Sequence, residues 1–131
     1  MRTETELRTM CVALKITAGV ERANGPAPKS FPEGSRSWLV TLKIADRSLT
    51  VPFYCEPGIK DAPDAADVLS CLLSDATSVE NATDFEDWAT ENGYSADSRE
   101  AERIYQACAM SIGSLRALLR EHYDDLARAE H

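Results

Sequence analysis

The fold is decided by residues 38–53, which read WLVTLKIADRSLTVPF. Apolar residues alternate with more polar ones on both sides of the polar link at residues 45–48, which is the period-two pattern of half-buried strands. A link this short favours a β-hairpin. Pro52 lacks the N–H group that a ladder hydrogen bond needs, so its strand is predicted to lie at a sheet edge or to contain a bulge.

A further strand is predicted before the hairpin, over residues 10–17, where Val12, Leu14 and Ile16 alternate with less apolar neighbours. Residues 18–34 carry several glycines and prolines and are expected to form a long irregular connection. The sequence therefore predicts a three-stranded antiparallel sheet with one apolar face that must be covered.

The second half of the chain predicts helices that cover this face. Asp64 is expected to cap a helix that begins near Ala65. Thr83 and Glu86 fit a capping box for a short helix that stops at Gly93.

Asp97 is expected to cap the last helix, which runs from about Ser98 past Leu119. Helices that follow strands, rather than alternate with them, predict an α+β fold: a three-stranded antiparallel sheet packed against two or three C-terminal helices. We expect one domain over residues 1–131, with strands in 9–54, helices in 64–120 and a weakly ordered tail over 121–131.

Composition excludes several classes of protein. Hydrophobic residues make up 44% of the 131 residues and charged residues 27%, which is enough apolar material for a core and argues against disorder. No apolar run approaches the ~20 residues of a membrane span, and the polar N-terminus does not look like a signal peptide. Transmembrane, secreted and collagen-like proteins are therefore not expected.

The cysteines indicate a reducing compartment. Cys11, Cys55, Cys71 and Cys108 contain no CxxC pair that would suggest zinc or a thioredoxin-type site. Two disulfides are conceivable, but a chain with an adequate core does not need them. We interpret the four residues as buried reduced thiols of a cytosolic protein.

The charge is unevenly distributed along the chain. The net charge is −8, and residues 56–102 hold thirteen carboxylates against two basic side chains, a net −11. Helix capping accounts for some of these acids. The rest fit either a solvated acidic face, which is common in soluble proteins, or a surface that binds a basic protein whose normal ligand would be nucleic acid. The candidate binding residues are Asp75, Glu80, Asp84, Asp87, Glu91 and Glu102.

Two other functions are compatible with the sequence. A nucleic-acid-binding protein would use the mildly basic sheet region, with Lys43, Arg47 and Tyr54 as contacts. An enzyme would have to use carboxylates with a divalent metal, because GxGxxG, GxxxxGK[ST], HExxH and GxSxG motifs are absent. The two histidines, His122 and His131, both lie in the predicted tail. We therefore predict no catalytic residue, no cofactor and no metal site.

Residues 85–108 carry the pattern Phe-x-x-Trp…Gly-Tyr-x-x-Asp-Ser-Arg-x-Ala-Glu…Tyr-x-x-Cys. With the blocks at 38–53 and 67–76, this pattern resembles a family of small bacteriophage- and prophage-encoded proteins of unknown function, over about residues 36–120. The resemblance implies a phage accessory protein of the host bacterial cytoplasm. By analogy with counter-defence factors such as anti-CRISPR proteins, we expect a non-enzymatic inhibitor of a host protein, as a monomer or homodimer. The alternative is a nucleic-acid-associated factor in phage replication or recombination.

Overall fold

The computed structural model describes residues 4–23, 36–55 and 62–130. These residues form α1 (Glu4–Ala13), β1 (Thr17–Arg22), β2 (Arg36–Ile44), β3 (Arg47–Cys55), α2 (Ala65–Glu80), α3 (Phe85–Glu91), α4 (Arg99–Leu119) and α5 (Tyr123–Glu130), with a 3-10 turn at Arg120–His122. The predicted α+β class is confirmed. Within these ranges, four α-helices follow the sheet instead of two or three, and one helix precedes it.

The sheet is antiparallel with the order β1-β2-β3. The predicted hairpin is formed by β2 and β3, with Trp38 opposite Phe53 and Ile44 opposite Arg47. Its turn is shorter than the predicted link, because only Ala45 and Asp46 separate the strands. Ala45 has a positive φ of 54°, as a two-residue hairpin turn requires. Pro52 lies on β3, which is an edge strand as predicted.

The strand predicted over residues 10–17 was wrong, because residues 4–13 form a helix. Leu7 and Cys11 are buried and Leu14 is partly buried, which is helical spacing, whereas Val12 is 75% exposed. Val12, Leu14 and Ile16 alternate as in a strand. The longer pattern, which begins at Leu7, has the spacing of a helix. The predicted division of the chain into strands up to residue 54 and helices from residue 64 is therefore only partly right, because the helix α1 precedes the sheet.

The first strand instead occupies Thr17–Arg22, inside the predicted connection. The reversal between α1 and β1 occurs at Lys15, which has a positive φ of 58°. The Ile16 N–H donates to the Cys11 carbonyl over 2.9 Å, which closes the C-terminus of α1. The rest of the predicted connection, residues 24–34, lies outside the described residues.

The main core lies between the sheet and the helices. From the sheet it contains Val40, Leu42 and Ile44, which alternate along β2 and are all buried. From the helices it contains Leu7, Leu69, Leu73, Leu115, Leu119 and Leu126, each fully buried. The expectation that helices cover the apolar face of the sheet is confirmed. None of the helices in the described ranges is long and apolar enough to cross a membrane.

The weakly ordered tail predicted over residues 121–131 was wrong as far as residue 130. Tyr123, Leu126 and Ala127 recur at helical spacing and are at most 9% exposed, so α5 contributes to the main core. The acids and arginines that made this segment look like a tail form the exposed side of an amphipathic helix.

Candidate functional site

A second, smaller hydrophobic cluster fixes α3 against α4. Trp88 and Ala89 of α3 and Ala101 of α4 are buried in it. The Trp88 ring centroid lies 5.4 Å from that of Tyr105, in an edge-to-face arrangement, and the Trp88 Nε1–H donates to the Ser78 Oγ of α2 over 3.1 Å. This short helix is therefore held by both of its longer neighbours, α2 and α4.

The turn after α3 presents an aromatic ring at the surface. Gly93 has a positive φ of 78°, which confirms the predicted left-handed terminus. The Tyr94 N–H then donates to the Ala89 carbonyl over 2.8 Å. The Tyr94 ring stacks on Trp88 with centroids 5.8 Å apart and an interplanar angle of 12°, and Tyr94 stays 37% exposed. An ordered aromatic ring therefore meets the solvent at this corner.

The caps of α3 and α4 lie one residue later than predicted. Asp84, not Thr83, caps α3 by accepting from the Asp87 N–H over 2.9 Å, and Asp87 Oδ2 accepts from the Thr83 N–H over 2.9 Å. Ser98, not Asp97, caps α4 by accepting from the Ala101 N–H over 3.1 Å. Asp84 and Asp87 thus have structural roles. The predicted cap of α2 at Asp64 is confirmed.

Glu80 also has a structural role. Its Oε1 accepts a hydrogen bond from the Tyr123 hydroxyl over 2.5 Å, and its Oε2 accepts from Arg116 Nη2 over 2.8 Å. The Arg116 guanidinium carbon lies 4.3 Å from the centroid of the Tyr123 ring. Burial alone would raise the pKa of Glu80, but the hydrogen bonds from Tyr123 and Arg116 outweigh it and lower that pKa. This network joins the ends of α2, α4 and α5.

Asp75 lies apart, beside a groove between α2 and β3. The groove has a volume of about 390 Å³ and is also lined by Phe53, Tyr54, Cys71 and Leu72, among others. Partial burial raises the pKa of the Asp75 carboxyl.

The cysteines show three different surroundings. Cys11 is buried and Cys108 is partly buried, but Cys71 is exposed, so the expectation of four buried thiols was wrong for Cys71. Burial and the nearby Asp75 charge raise the pKa of the Cys108 thiol to about 11. The side chain of Cys55 lies outside the described residues.

Five carboxylates remain, on α3, the turn after it and the first turns of α4. We call this group of exposed carboxylates the acidic face: Glu86, Glu91, Asp97, Glu100 and Glu102. The exposed basic residues Arg99 and Arg103 lie in the same segment. Within the described ranges, none of these carboxylates forms an ion pair or caps a helix. Glu91 is the last residue of α3, where the helix dipole disfavours a negative charge. Its position therefore has no local structural benefit.

The structure thus divides the six predicted binding residues. Glu91 and Glu102 belong to the acidic face, Asp84 and Asp87 form a cap, and Glu80 and Asp75 lie elsewhere on α2. The predictions did not include Glu86, Asp97 and Glu100, because the expected helix starts assigned them to capping.

The residues predicted for nucleic-acid binding do not form one surface. Lys43 is exposed near the hairpin turn, on the sheet face that the helices leave open. Arg47 lies on the opposite face, where its Nε–H donates to the Leu118 carbonyl of α4 over 2.8 Å. Tyr54 lies opposite Ser37, six residues along β3 from the partner of Lys43, a distance of about 20 Å.

No group of three or more His, Cys, Asp or Glu in the described ranges is placed to hold a metal ion. His122 is partly exposed and lies 3.4 Å from the carboxylate of Glu121, and His131 lies outside those ranges.

No protein-family model, no curated protein and no solved structure matches this chain. What the site can do is therefore inferred from its own residues. Carboxylates accept charge-assisted hydrogen bonds from Arg and Lys, and an exposed aromatic ring offers a surface for stacking or cation–π contact. The acidic face with Tyr94 combines both properties, so it suits a cationic protein surface.

Proposed function

We propose that the protein is a non-enzymatic phage accessory factor that inhibits a host protein in the bacterial cytoplasm by binding its basic surface. The observation that carries this proposal is the acidic face, whose five exposed carboxylates form no ion pair and cap no helix within the described residues. The phage origin rests on the resemblance of residues 36–120.

The acidic face has the properties of an interaction surface. Its charge has the same sign as the net charge of −8, so the whole molecule attracts a basic partner over a long range. Tyr94 supplies the kind of aromatic anchor that contributes strongly to binding energy, and its stacking on Trp88 keeps the entropy cost of ordering low. The surface is thus preorganised before a partner arrives.

Inhibition follows from competition for the same groups. A host protein that binds nucleic acid does so mainly with Lys and Arg on phosphates. A carboxylate surface that occupies those side chains displaces the nucleic acid without any chemical step. A host protein of this kind, such as a nucleic-acid-binding defence protein, is the partner we expect.

The experiment is a pull-down from host lysate with the tagged protein, at low and high salt and with nuclease treatment in parallel. The test variant combines Glu91→Gln with Asp97→Asn. The control variant combines Glu21→Gln with Asp46→Asn, which makes the same change in charge at exposed positions on β1 and in the hairpin turn. Both variants are first shown to unfold at the same temperature as the unaltered protein.

We expect a basic host protein that is retained after nuclease treatment and released by salt. The test variant should lose affinity by about 5- to 30-fold, as expected for two interfacial charges, whereas the control should bind as the unaltered protein does. Equal binding by both variants would contradict the proposal. Loss of every partner on nuclease treatment would favour the nucleic-acid alternative.

A further inference from the structure

The groove between α2 and β3 opens at the margin of the main core. Its wall on the sheet includes Val51 and Phe53, and its wall on α2 includes Leu72. All three side chains pack against the core but are only partly buried. They lie at the border of the sheet, since β3 is its edge strand. The groove therefore offers apolar surface that a bound molecule can remove from water.

Among the described residues that line this groove, Asp75 carries the only charge. Its backbone carbonyl accepts from the Ser78 hydroxyl over 2.7 Å, but its carboxyl has no hydrogen-bond or salt-bridge partner in the described part of the chain. Burial alone shifts the pKa of this carboxyl, and it does so upwards. On the same helix, hydrogen bonds from Tyr123 and Arg116 lower the pKa of Glu80. Asp75 is thus partly desolvated without the compensating partner that Glu80 has.

A bound cation supplies this partner. An ammonium group next to Asp75 forms a charge-assisted hydrogen bond with the carboxylate, which is exposed and can be reached from solvent. The rings of Phe53 and Tyr54 line the same groove and offer a cation–π contact. The net charge of −8 attracts a cation and repels an anion. Charge and lining together favour a cation with an apolar body over a neutral or anionic molecule.

We propose that this groove binds a small organic cation, with its ammonium group at Asp75 and its apolar body between β3 and α2. The volume of about 390 Å³ is at the lower end of the range for small-molecule sites. A specific protein interface buries roughly 1,000 Å² or more, so this groove suits a small molecule better than a folded partner. None of its described lining residues belongs to the acidic face, and the site does not depend on the proposed function.

Titration of the full-length protein with benzylammonium, followed by two-dimensional amide NMR, tests the proposal. This probe combines one ammonium group with one apolar ring. We expect a dissociation constant between roughly 0.1 and 10 mM, as is usual for a ligand of about eight non-hydrogen atoms. The largest shifts should occur at the amides of residues 53–54 and 71–75. Benzyl alcohol and benzoate keep the ring without the ammonium group, so each should bind more weakly by about fivefold or more.

Two matched substitutions test the role of the carboxyl. Asp75→Asn removes the charge with little change in shape and should weaken binding of benzylammonium by about 5- to 10-fold. Because this carboxyl has no partner in the described ranges, the variant should unfold at the same temperature as the unaltered protein or a higher one. Asp97→Asn removes the same charge from the acidic face and should leave the affinity within about twofold.

Each of several results would overturn the proposal. These are equal affinity for benzylammonium and benzoate, shifts confined to residues outside the groove, equal affinity of the two variants, and no shift up to roughly 50 mM probe. Amides of the groove that move with protein concentration alone would assign it to a second copy of the chain, and would overturn the small-molecule assignment too.

Discussion

Removing one hydroxyl tests whether α5 is tied to the rest of the molecule. In Tyr123→Phe the ring, which is 1% exposed, keeps its packing, while the 2.5 Å hydrogen bond to Glu80 is lost. A hydrogen bond to a charged group contributes about 1.5–3 kcal/mol. Because the Glu80 side chain is 29% exposed, water replaces part of this interaction. We therefore expect the free energy of unfolding to fall by about 1–2 kcal/mol at pH 7.

The effect of this substitution depends on pH. The pKa of Glu80 in the folded protein lies below its ordinary value of 4.5, so its network adds stability above that pH and loses it as the pH falls through the folded value. The difference between Tyr123→Phe and the unaltered protein should therefore be constant near neutral pH and shrink below pH 4.5. Urea denaturation at a series of pH values measures both quantities.

A second substitution tests whether the stability lost in Tyr123→Phe comes from the interaction between Tyr123 and Glu80. Glu80→Gln keeps the shape of the side chain but removes its charge, and the double variant completes a thermodynamic cycle with Tyr123→Phe. The double variant should be less destabilised than the sum of the single variants, by about 1 kcal/mol. A loss below about 0.5 kcal/mol in Tyr123→Phe, or strict additivity, would refute the view that this contact holds α5 in place.

Three further predictions use the same denaturation assay or chemical labelling. Leu126→Ala should lower the free energy of unfolding by about 2–4 kcal/mol, because this side chain is fully buried. Leu39→Ala, at a 42% exposed position, should lower it by less than about 1 kcal/mol. Similar small losses for both variants would mean that α5 does not pack against the core. Lys15→Gly should stabilise by about 0.5–1 kcal/mol, since Lys15 has a positive φ of 58°, whereas a lysine-to-glycine change within β2 at Lys43 should destabilise. Burial raises the pKa of the Cys108 thiol from 9.0 to about 11. At pH 8 this thiol should therefore react with iodoacetamide about 100-fold more slowly than in the unfolded chain, as measured by mass spectrometry. Equal rates in the folded and unfolded protein would contradict the burial of Cys108.

The hairpin could be predicted because its signals agree. The alternation in residues 38–44 and 49–53 spans both strands, and the polar residues between them exclude a helix that would continue through the link. The N-terminal region carries conflicting signals, since Val12, Leu14 and Ile16 satisfy a period of two while Leu7, Cys11 and Leu14 satisfy the helical period. Tertiary packing decides between them, because only the helix buries Leu7 and Cys11 together.

The C-terminal helix was missed for a related reason. A segment of eight residues has little helical stability of its own, so its order depends on what it packs against. Its partners, Leu7 on α1 and Leu73 on α2, belong to the same core but are distant in the sequence. The sequence near residue 126 therefore gives no indication of these distant packing partners.

The candidate site was only partly predictable because neighbouring residues compete to cap each helix. Thr83 and Asp84 are both good N-caps, as are Asp97 and Ser98, so local preferences differ by only a few tenths of a kcal/mol. Packing of Trp88 and Ala101 into their cluster therefore sets the start of each helix.

A shift of one residue at a helix start changes which acids cap the helix and which remain available to bind a partner. Asp87 then bonds to the backbone of residue 83, while Glu86 and Glu100 lose the capping roles expected of them. Glu91 is different, because the glycine at position 93 already places it at the end of a helix, where a negative charge has no structural benefit. A carboxylate two residues before a helix-terminating glycine is thus a signal for this surface that does not depend on where the helix starts.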